Sequence, residues 1–361
     1  MLLLTYLYLF VLQIAAQRRR RGQGHHRGSD RGNTCTTKFL KYEASPYEME
    51  WTGDVVNREH HICSFLQRES NEQSLLYQVT HESHDQHFIN MTRESIFRVF
   101  SMFIYEKSCT QASDNMVYIE PIEPIHGYNR DHRELCGIKV SSMPKSKTGL
   151  NDRRFLLLPS KTSFPRLFLT SKNYGYNPNI LLFNIGCGSF KGNLNGSSSM
   201  GDSQAWFLRQ YPEKGFKIGR IVLWESIEFK ATDFFAQIPR DQLPKYQFYN
   251  TPISANPKDV MYPWKFLKDL AAEFDYVVVK LDVRDYEIEM SLLKNLMLDE
   301  ELMSFIDEMF YEFHIRLSPM PDAEVQADLE PEYVKSKISL ADVYDMFLKF
   351  RRAGMRMHGW P

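Results

Sequence analysis

Short, continuously apolar runs alternate with amphipathic stretches between residues 178 and 316, and this alternation most constrains the fold of the chain. Continuous apolar runs suit parallel strands that are buried on both faces, and helices between them imply crossover connections. The predicted strands are Ile180–Phe183, Arg220–Trp224, Tyr246–Ile253, Tyr276–Leu281 and one within Phe305–His314. The predicted helices are Asp202–Gln210, residues 228–238, Trp264–Phe274, Ile288–Leu298 and Leu340–Arg352, and Met355–Trp360 closes the sheet as an edge strand. We therefore expect an α/β fold with a Rossmann-like, doubly wound, mostly parallel sheet.

Polar residues and glycines follow these strands, where ligands bind to open α/β sheets. They are Asn184, Gly186, Gly188, Glu225, Asp282, Glu312 and His314. Gly186 and Gly188 permit a tight turn, and N–H groups ahead of a helix suit a carboxylate or phosphate. Glu225 can accept hydrogen bonds from both hydroxyls of a ribose. The turn lacks the third glycine of the dinucleotide pattern, yet the shared edge predicts a cofactor site with Asn184, Gly186, Gly188 and Glu225.

Three segments resemble a known family. Phe183–Gly188 resembles the first motif of class I S-adenosylmethionine-dependent methyltransferases. Val278–Glu287 resembles the K-[IL]-D-[VI]-E-G-x-E stretch of FkbM-type methyltransferases, and Phe305–His314 is similar to their next strand, which ends in Glu-x-His. The resemblance covers residues 178–316 and is thin elsewhere. It implies the class I methyltransferase fold, S-adenosylmethionine as cofactor and an acceptor near Asp282.

FkbM-type enzymes are expected to methylate hydroxyl groups, often of sugars or polyketides, and a hydroxyl acceptor needs a general base. The candidate catalytic residues are Asp282 and His314, although His314 also fits a buried structural histidine. The sequence departs from the family at two places: Asn184 stands where an acid is usual, and Arg284-Asp285 replaces Glu-Gly. Asn184 cannot pair as a charge with the ammonium of the cofactor. A catalytically inactive relative that serves as a binding module therefore stays open.

The N-terminus predicts entry to the secretory pathway. Residues 1–16 are apolar and uncharged, and they are too short for an ordinary membrane span. Four arginines follow them at 18–21, so the segment fits a cleaved signal peptide, an uncleaved signal anchor that tethers the chain to a membrane, or a buried helix. Residues 17–34 are basic and rich in Gly and His, which predicts a disordered linker. Glycosylation sequons begin at Asn90 and Asn195.

The region 35–150 is predicted to be a mainly helical N-terminal extension, ahead of a methyltransferase domain at 151–361. Its clearest element is an amphipathic helix over Glu94–Lys107. Four cysteines precede the glycine turn: Cys35, Cys63, Cys109 and Cys136. They can form two disulfides, for which three pairings are possible. Cys187 is left over, and five unpaired thiols are the alternative in a reducing compartment.

Charge, histidine spacing and acidic motifs argue against three other kinds of function. A net charge of −1 gives no signal for nucleic acid. His81, His84 and His87 lie among polar residues, which indicates solvated surface rather than a metal site. A nucleotide-sugar transferase would need an Asp-x-Asp strand end, and the chain offers only Asp282-Val283-Arg284-Asp285. The sequence thus favours a methyltransferase that acts on a glycan or a small molecule.

Overall fold

The computed structural model describes residues 35–53, 97–98, 100–109, 116–125, 156–159, 177–187, 203–228, 230–283, 285–311 and 340–360. Several predictions lie outside these residues: the N-terminal segments 1–16 and 17–34, both sequons, the histidines 81–87, and the site candidates Gly188 and His314. Cys63 and Cys136 are outside them as well, whereas Cys35 and Cys109 occupy opposed backbone positions on neighbouring strands.

Six strands form a sheet in which every pairing is parallel. They are β4 (Asn179–Ile185), β5 (Lys217–Trp224), β6 (Tyr246–Tyr249), β7 (Tyr276–Leu281), β8 (Glu308–Tyr311) and β9 (Arg356–Gly359). Their order is β6-β5-β4-β7-β8-β9. The chain moves outward from β4 in one direction and then returns to β7 to move in the other. This order, with its switch point between β4 and β7, is compatible with the doubly wound Rossmann-like arrangement.

Helices cover both faces of this sheet. They are α2 (Ser203–Glu213), α3 (Ala231–Phe235), α4 (Pro263–Ala271), α5 (Tyr286–Leu298), α6 (Glu300–Phe305) and α7 (Leu340–Arg352), with a 3-10 helix at Leu243–Lys245. Helices α2 and α3 pack on one face, and α4 to α7 pack on the other. We call the first the α2 face; the strand residues that define it are Ile180, Leu182, Ile221, Leu223, Tyr276 and Val278. Both faces are therefore buried, as the continuous apolar runs require.

The N-terminal region contains a second sheet, and the prediction of a mainly helical extension is wrong for the described residues. Strands β1 (Cys35–Glu43), β2 (Ser101–Cys109) and β3 (Met116–Ile122) are antiparallel in the order β1-β2-β3, beside one helix, α1 (Pro46–Gly53). The predicted helix Glu94–Lys107 is a strand from Ser101 onward. Residues 101–105 of this central strand are all buried. A strand covered on both sides produces an apolar run that imitates the wide stripe of a helix.

Buried ionic contacts join the N-terminal region to the C-terminal helix. Arg351, at the end of α7, is 1% exposed and donates to the Glu48 carboxylate of α1 at 3.0 Å and to the Tyr42 hydroxyl at 2.9 Å. Glu48 is fully buried and also accepts from the Ser101 hydroxyl at 2.8 Å. Residues more than 300 positions apart thus form one network.

A second group of buried polar residues, which we call the amino-edge cluster, consists of Glu123, Tyr211, Tyr276, Glu308 and His358. The His358 ring lies between Glu123 at 2.5 Å and Glu308 at 2.8 Å. The second oxygen of Glu308 accepts from the hydroxyls of Tyr211 at 2.5 Å and Tyr276 at 3.1 Å. Although burial favours the neutral imidazole, the two carboxylates raise the pKa of His358 above its ordinary value.

Within the described part of the chain, no helix combines the length and the apolar character that crossing a bilayer requires.

Candidate functional site

The turn after β4 requires glycine at position 186. Gly186 has a φ of 77°, in the left-handed region that ordinary side chains disfavour. A Cβ there would lie 1.6 Å from the backbone carbonyl oxygen of Asp282. The N–H groups of Gly186 and Cys187 both donate to the Trp224 carbonyl, at 3.0 and 3.1 Å. The turn is therefore held against the ends of β5 and β7, on both sides of the switch point.

Four polar positions continue the α2 face at this carboxyl edge. Side chains alternate between the faces of a strand, so Asn184 follows Ile180 and Leu182 on the α2 face. By the same alternation Glu225 and Lys280 extend that face from β5 and β7. The electrostatic environment of the Cys187 thiol includes Glu225, Lys280 and Asp282, which places all three charged groups around the turn.

Glu225 is held in place from both of its sides. The residue is 6% exposed, and its carboxylate accepts from the Ile227 N–H at 3.0 Å. Its own N–H donates to the Tyr249 carbonyl at 3.1 Å, and the Asn250 side-chain amide donates to its carbonyl at 2.9 Å. A carboxylate fixed in this way loses little conformational entropy when it accepts hydrogen bonds from a ligand.

Asp282 is not an isolated carboxylate, because it forms an ion pair with Lys280. The Lys280 side chain is 2% exposed, and its ammonium also donates to the Gly186 carbonyl at 3.2 Å. The Trp360 ring covers the ammonium at 5.5 Å, a distance at which an aromatic face attracts a cation. The Asp282 side chain is 21% exposed and is reachable from solvent. Lys280 thus ties the glycine turn to the predicted base.

Two buried side-chain amides lie beside the turn. The Ser203 hydroxyl donates to the Cys187 carbonyl at 3.5 Å, which brings the first residue of α2 to the turn. Gln204 follows it and is 1% exposed, and Asn184 is fully buried. The oxygen and the nitrogen of both amides have no hydrogen-bond partner in the described part of the chain. Native proteins rarely leave such groups unsatisfied, so this pair marks a place where a ligand can bind.

The Cys187 thiol is 1% exposed, and burial raises its pKa well above the ordinary value, with Glu225 adding to the effect. The neutral thiol is therefore the favoured form. Because the thiolate is the nucleophile, the turn offers a small buried side chain rather than a reactive sulfur.

The structure brings together four of the six predicted site residues: Asn184, Gly186, Glu225 and Asp282. Gly188 and His314 lie outside the described residues. Sequence reasoning did not select Lys280 or Gln204. Lys280 could have been noticed as a lysine within the apolar run of β7. Gln204 could have been noticed because it lies three positions before Phe207 and seven before Tyr211, on the same side of α2.

No group of three or more His, Cys, Asp or Glu side chains that could hold a metal ion occurs in the described ranges.

A scan against protein-family models and searches of curated proteins and of solved structures found no match to this chain.

Proposed function

We propose that this chain is an S-adenosylmethionine-dependent methyltransferase of the FkbM-like, class I type, and that it methylates a hydroxyl group of a glycan or a small molecule. One observation carries the proposal: a glycine turn, a fixed carboxylate and a charged strand end lie together at the carboxyl edge of the sheet, at its switch point. The N-terminal sequence supports a location in the secretory pathway.

The residues at this edge fit such a cofactor. Glu225 would accept the ribose hydroxyls, and the backbone of the glycine turn, packed against the end of β7, would lie beside the cofactor. Asn184 would hydrogen-bond the methionine portion without charge. When bound, S-adenosylmethionine supplies a methyl group that is already activated on sulfur, so the task of the protein is to align the acceptor and exclude water.

A hydroxyl acceptor must lose a proton, and Asp282 is the candidate base among the described residues. It lies beside the turn and is partly exposed, so an acceptor can reach it. Lys280 would orient the carboxylate toward the acceptor. His314 is the second candidate base, on the resemblance alone.

The ion pair between Lys280 and Asp282 also favours a second candidate function, a catalytically inactive methyltransferase-like binding module in the secretory pathway. Proton transfer to Asp282 would remove its ion pair with the buried Lys280 ammonium, and this opposes its use as a base. Together with Asn184 in place of an acid, this describes a site that could bind the cofactor and not use it.

Calorimetry with S-adenosylmethionine and S-adenosylhomocysteine tests both functions. We expect the wild type to bind both, and Glu225→Gln to weaken each by roughly tenfold to a hundredfold, because a charge-assisted hydrogen bond contributes about 1.5–3 kcal/mol. The matched control is Glu228→Gln, an exposed carboxylate nearby, which should bind like the wild type.

No binding by the wild type at about 1 mM cofactor, a Kd range that corresponds to roughly 4 kcal/mol, would contradict the methyltransferase function. Binding without transfer of a labelled methyl group to sugar or small-molecule hydroxyls would favour the inactive module.

A further inference from the structure

We propose that Gln204 is a ligand-binding residue, and that the side-chain amides of Asn184 and Gln204 together bind the zwitterionic amino-acid end of S-adenosylmethionine. This inference rests on the proposed function and deepens it. It names the residues that would bind the amino-acid end of the cofactor, which is the part that Glu225 would not contact.

The two side-chain amides are buried without hydrogen-bond partners among the described residues. Asn184 is fully buried and Gln204 is 1% exposed, and none of their four polar atoms has a partner in the described part of the chain. A buried amide without partners destabilises a folded protein, because it has lost its hydrogen bonds to water. Two such amides at one place indicate a site that a polar ligand completes.

The two amides approach the glycine turn from different elements. Gln204, Phe207 and Tyr211 are buried along one side of α2, so Gln204 faces the sheet from the first turn of the helix. Asn184 lies on the α2 face of β4, one residue before the end of the strand. The hydrogen bond from Ser203 to the Cys187 carbonyl holds the start of α2 at the glycine turn. The two amides therefore flank the turn from the helix and from the sheet.

The hydrogen-bonding groups of the amides match those of an amino-acid zwitterion. An amide offers both an acceptor oxygen and a donor nitrogen, and an amino-acid zwitterion presents donors on its ammonium and acceptors on its carboxylate. Two amides can satisfy both groups without adding a charge. The start of α2, an 11-residue helix, adds N–H groups that have no acceptor within the helix and a positive dipole end, and both favour the carboxylate. The neutral pair thus replaces the single acid that the sequence lacks at position 184.

The test compares two ligands that differ only by the amino-acid end: S-adenosylhomocysteine and 5′-methylthioadenosine. The wild type should bind the first at least about tenfold more tightly than the second. Gln204→Met, which keeps the side-chain volume, should weaken S-adenosylhomocysteine by about tenfold or more and leave 5′-methylthioadenosine within about twofold. The unliganded variant should be no less stable than the wild type, since an unsatisfied buried amide has been replaced by an apolar group.

The matched control is Gln210→Met on the same helix, which should bind both ligands like the wild type. Equal weakening of both ligands in Gln204→Met, or no weakening of either, would overturn the role of Gln204 while the proposed function stands. Equal wild-type affinity for the two ligands would overturn the inference even if the variant fails to fold. Failure of the wild type to bind either ligand would overturn the proposed function and the inference with it.

Discussion

Replacing Arg351 with Met should remove a large part of the folding free energy, because this guanidinium is the cation of a fully buried network. It donates to the Tyr42 hydroxyl, the Glu48 carboxylate and the Glu123 carbonyl at 2.9–3.0 Å, and twice to the Met357 carbonyl at 3.0 and 2.8 Å. Methionine fills most of the volume but makes none of these bonds. The substitution therefore isolates the polar contribution from the packing.

The size of the loss follows from the burial of Glu48. Its carboxylate is 0% exposed, so after Arg351→Met a charge would remain in the core without its counter-ion. Removal of one partner of a buried pair costs about 3–5 kcal/mol, against a total of about 5–15 kcal/mol for a typical domain. Glu48→Gln in the same chain should recover part of the loss, since the buried charge is then removed as well.

Urea unfolding followed by far-ultraviolet circular dichroism measures this loss. The control is Lys268→Met, which breaks contacts to Asp299 at 2.8 Å and Glu301 at 3.1 Å. These side chains are 33–65% exposed, and an exposed pair contributes about 0–1 kcal/mol. If Arg351→Met destabilises the protein no more than Lys268→Met does, the network does not join the N-terminal region to α7 in solution.

Two further substitutions test the core and the turn. Burial opposes the charged form of His358, but Glu123 and Glu308 raise its pKa above 6.5, so its contribution to stability is complete below 6.5 and is lost as the pH rises through the raised value. Urea unfolding at increasing pH should show this decline, His358→Gln should flatten it, and an unchanged slope in the variant would refute the assignment. Gly186→Ala should destabilise the protein by more than about 2 kcal/mol and abolish cofactor binding, because of its positive φ and because its Cβ would meet a backbone oxygen at 1.6 Å. Thermal melts of both variants measure this loss. Gly53→Ala, where a Cβ meets nothing within 4 Å, should melt like the wild type, and equal melting temperatures for the two variants would contradict the steric argument.

The parallel sheet could be predicted from the sequence because its strands are short and buried on both faces. The apolar run Tyr276–Leu281 coincides with β7, and the helix Leu340–Arg352 coincides with α7. The predicted ends of two elements were wrong, because packing rather than sequence pattern decides where they end. The predicted strand Tyr246–Ile253 ends at Tyr249, and the predicted helix 228–238 is only Ala231–Phe235. In the N-terminal region local pattern gave the wrong element, because β2 is the central strand of its sheet and is apolar on both sides.

The buried networks could not be predicted, because their partners are far apart in sequence. Glu48 and Arg351 are 303 positions apart, and Glu123 and His358 are 235 apart. Each of these residues is an ordinary charged residue in its local context, and only the tertiary fold shows that it is buried. The candidate site was more accessible to prediction, since residues that end parallel strands meet at one edge whatever the details of packing.

The α2 face carries two polar groups at opposite ends, and their hydrogen bonding distinguishes structure from function. At the amino edge, Glu308 and His358 are fully buried, and the carboxylates beside His358 raise its pKa against the effect of burial, which is a common sign of an active site. Yet both oxygens of Glu308 and both ring nitrogens of His358 are already bound within the protein, so no ligand is needed. At the carboxyl edge the amides of Asn184 and Gln204 are equally buried and remain unsatisfied among the described residues. A raised pKa shows that charged groups lie nearby, whereas an amide whose buried oxygen and nitrogen both lack a partner indicates a missing ligand. Among the described residues, Asn184 and Gln204 have such amides, and they lie at the edge where parallel sheets bind ligands.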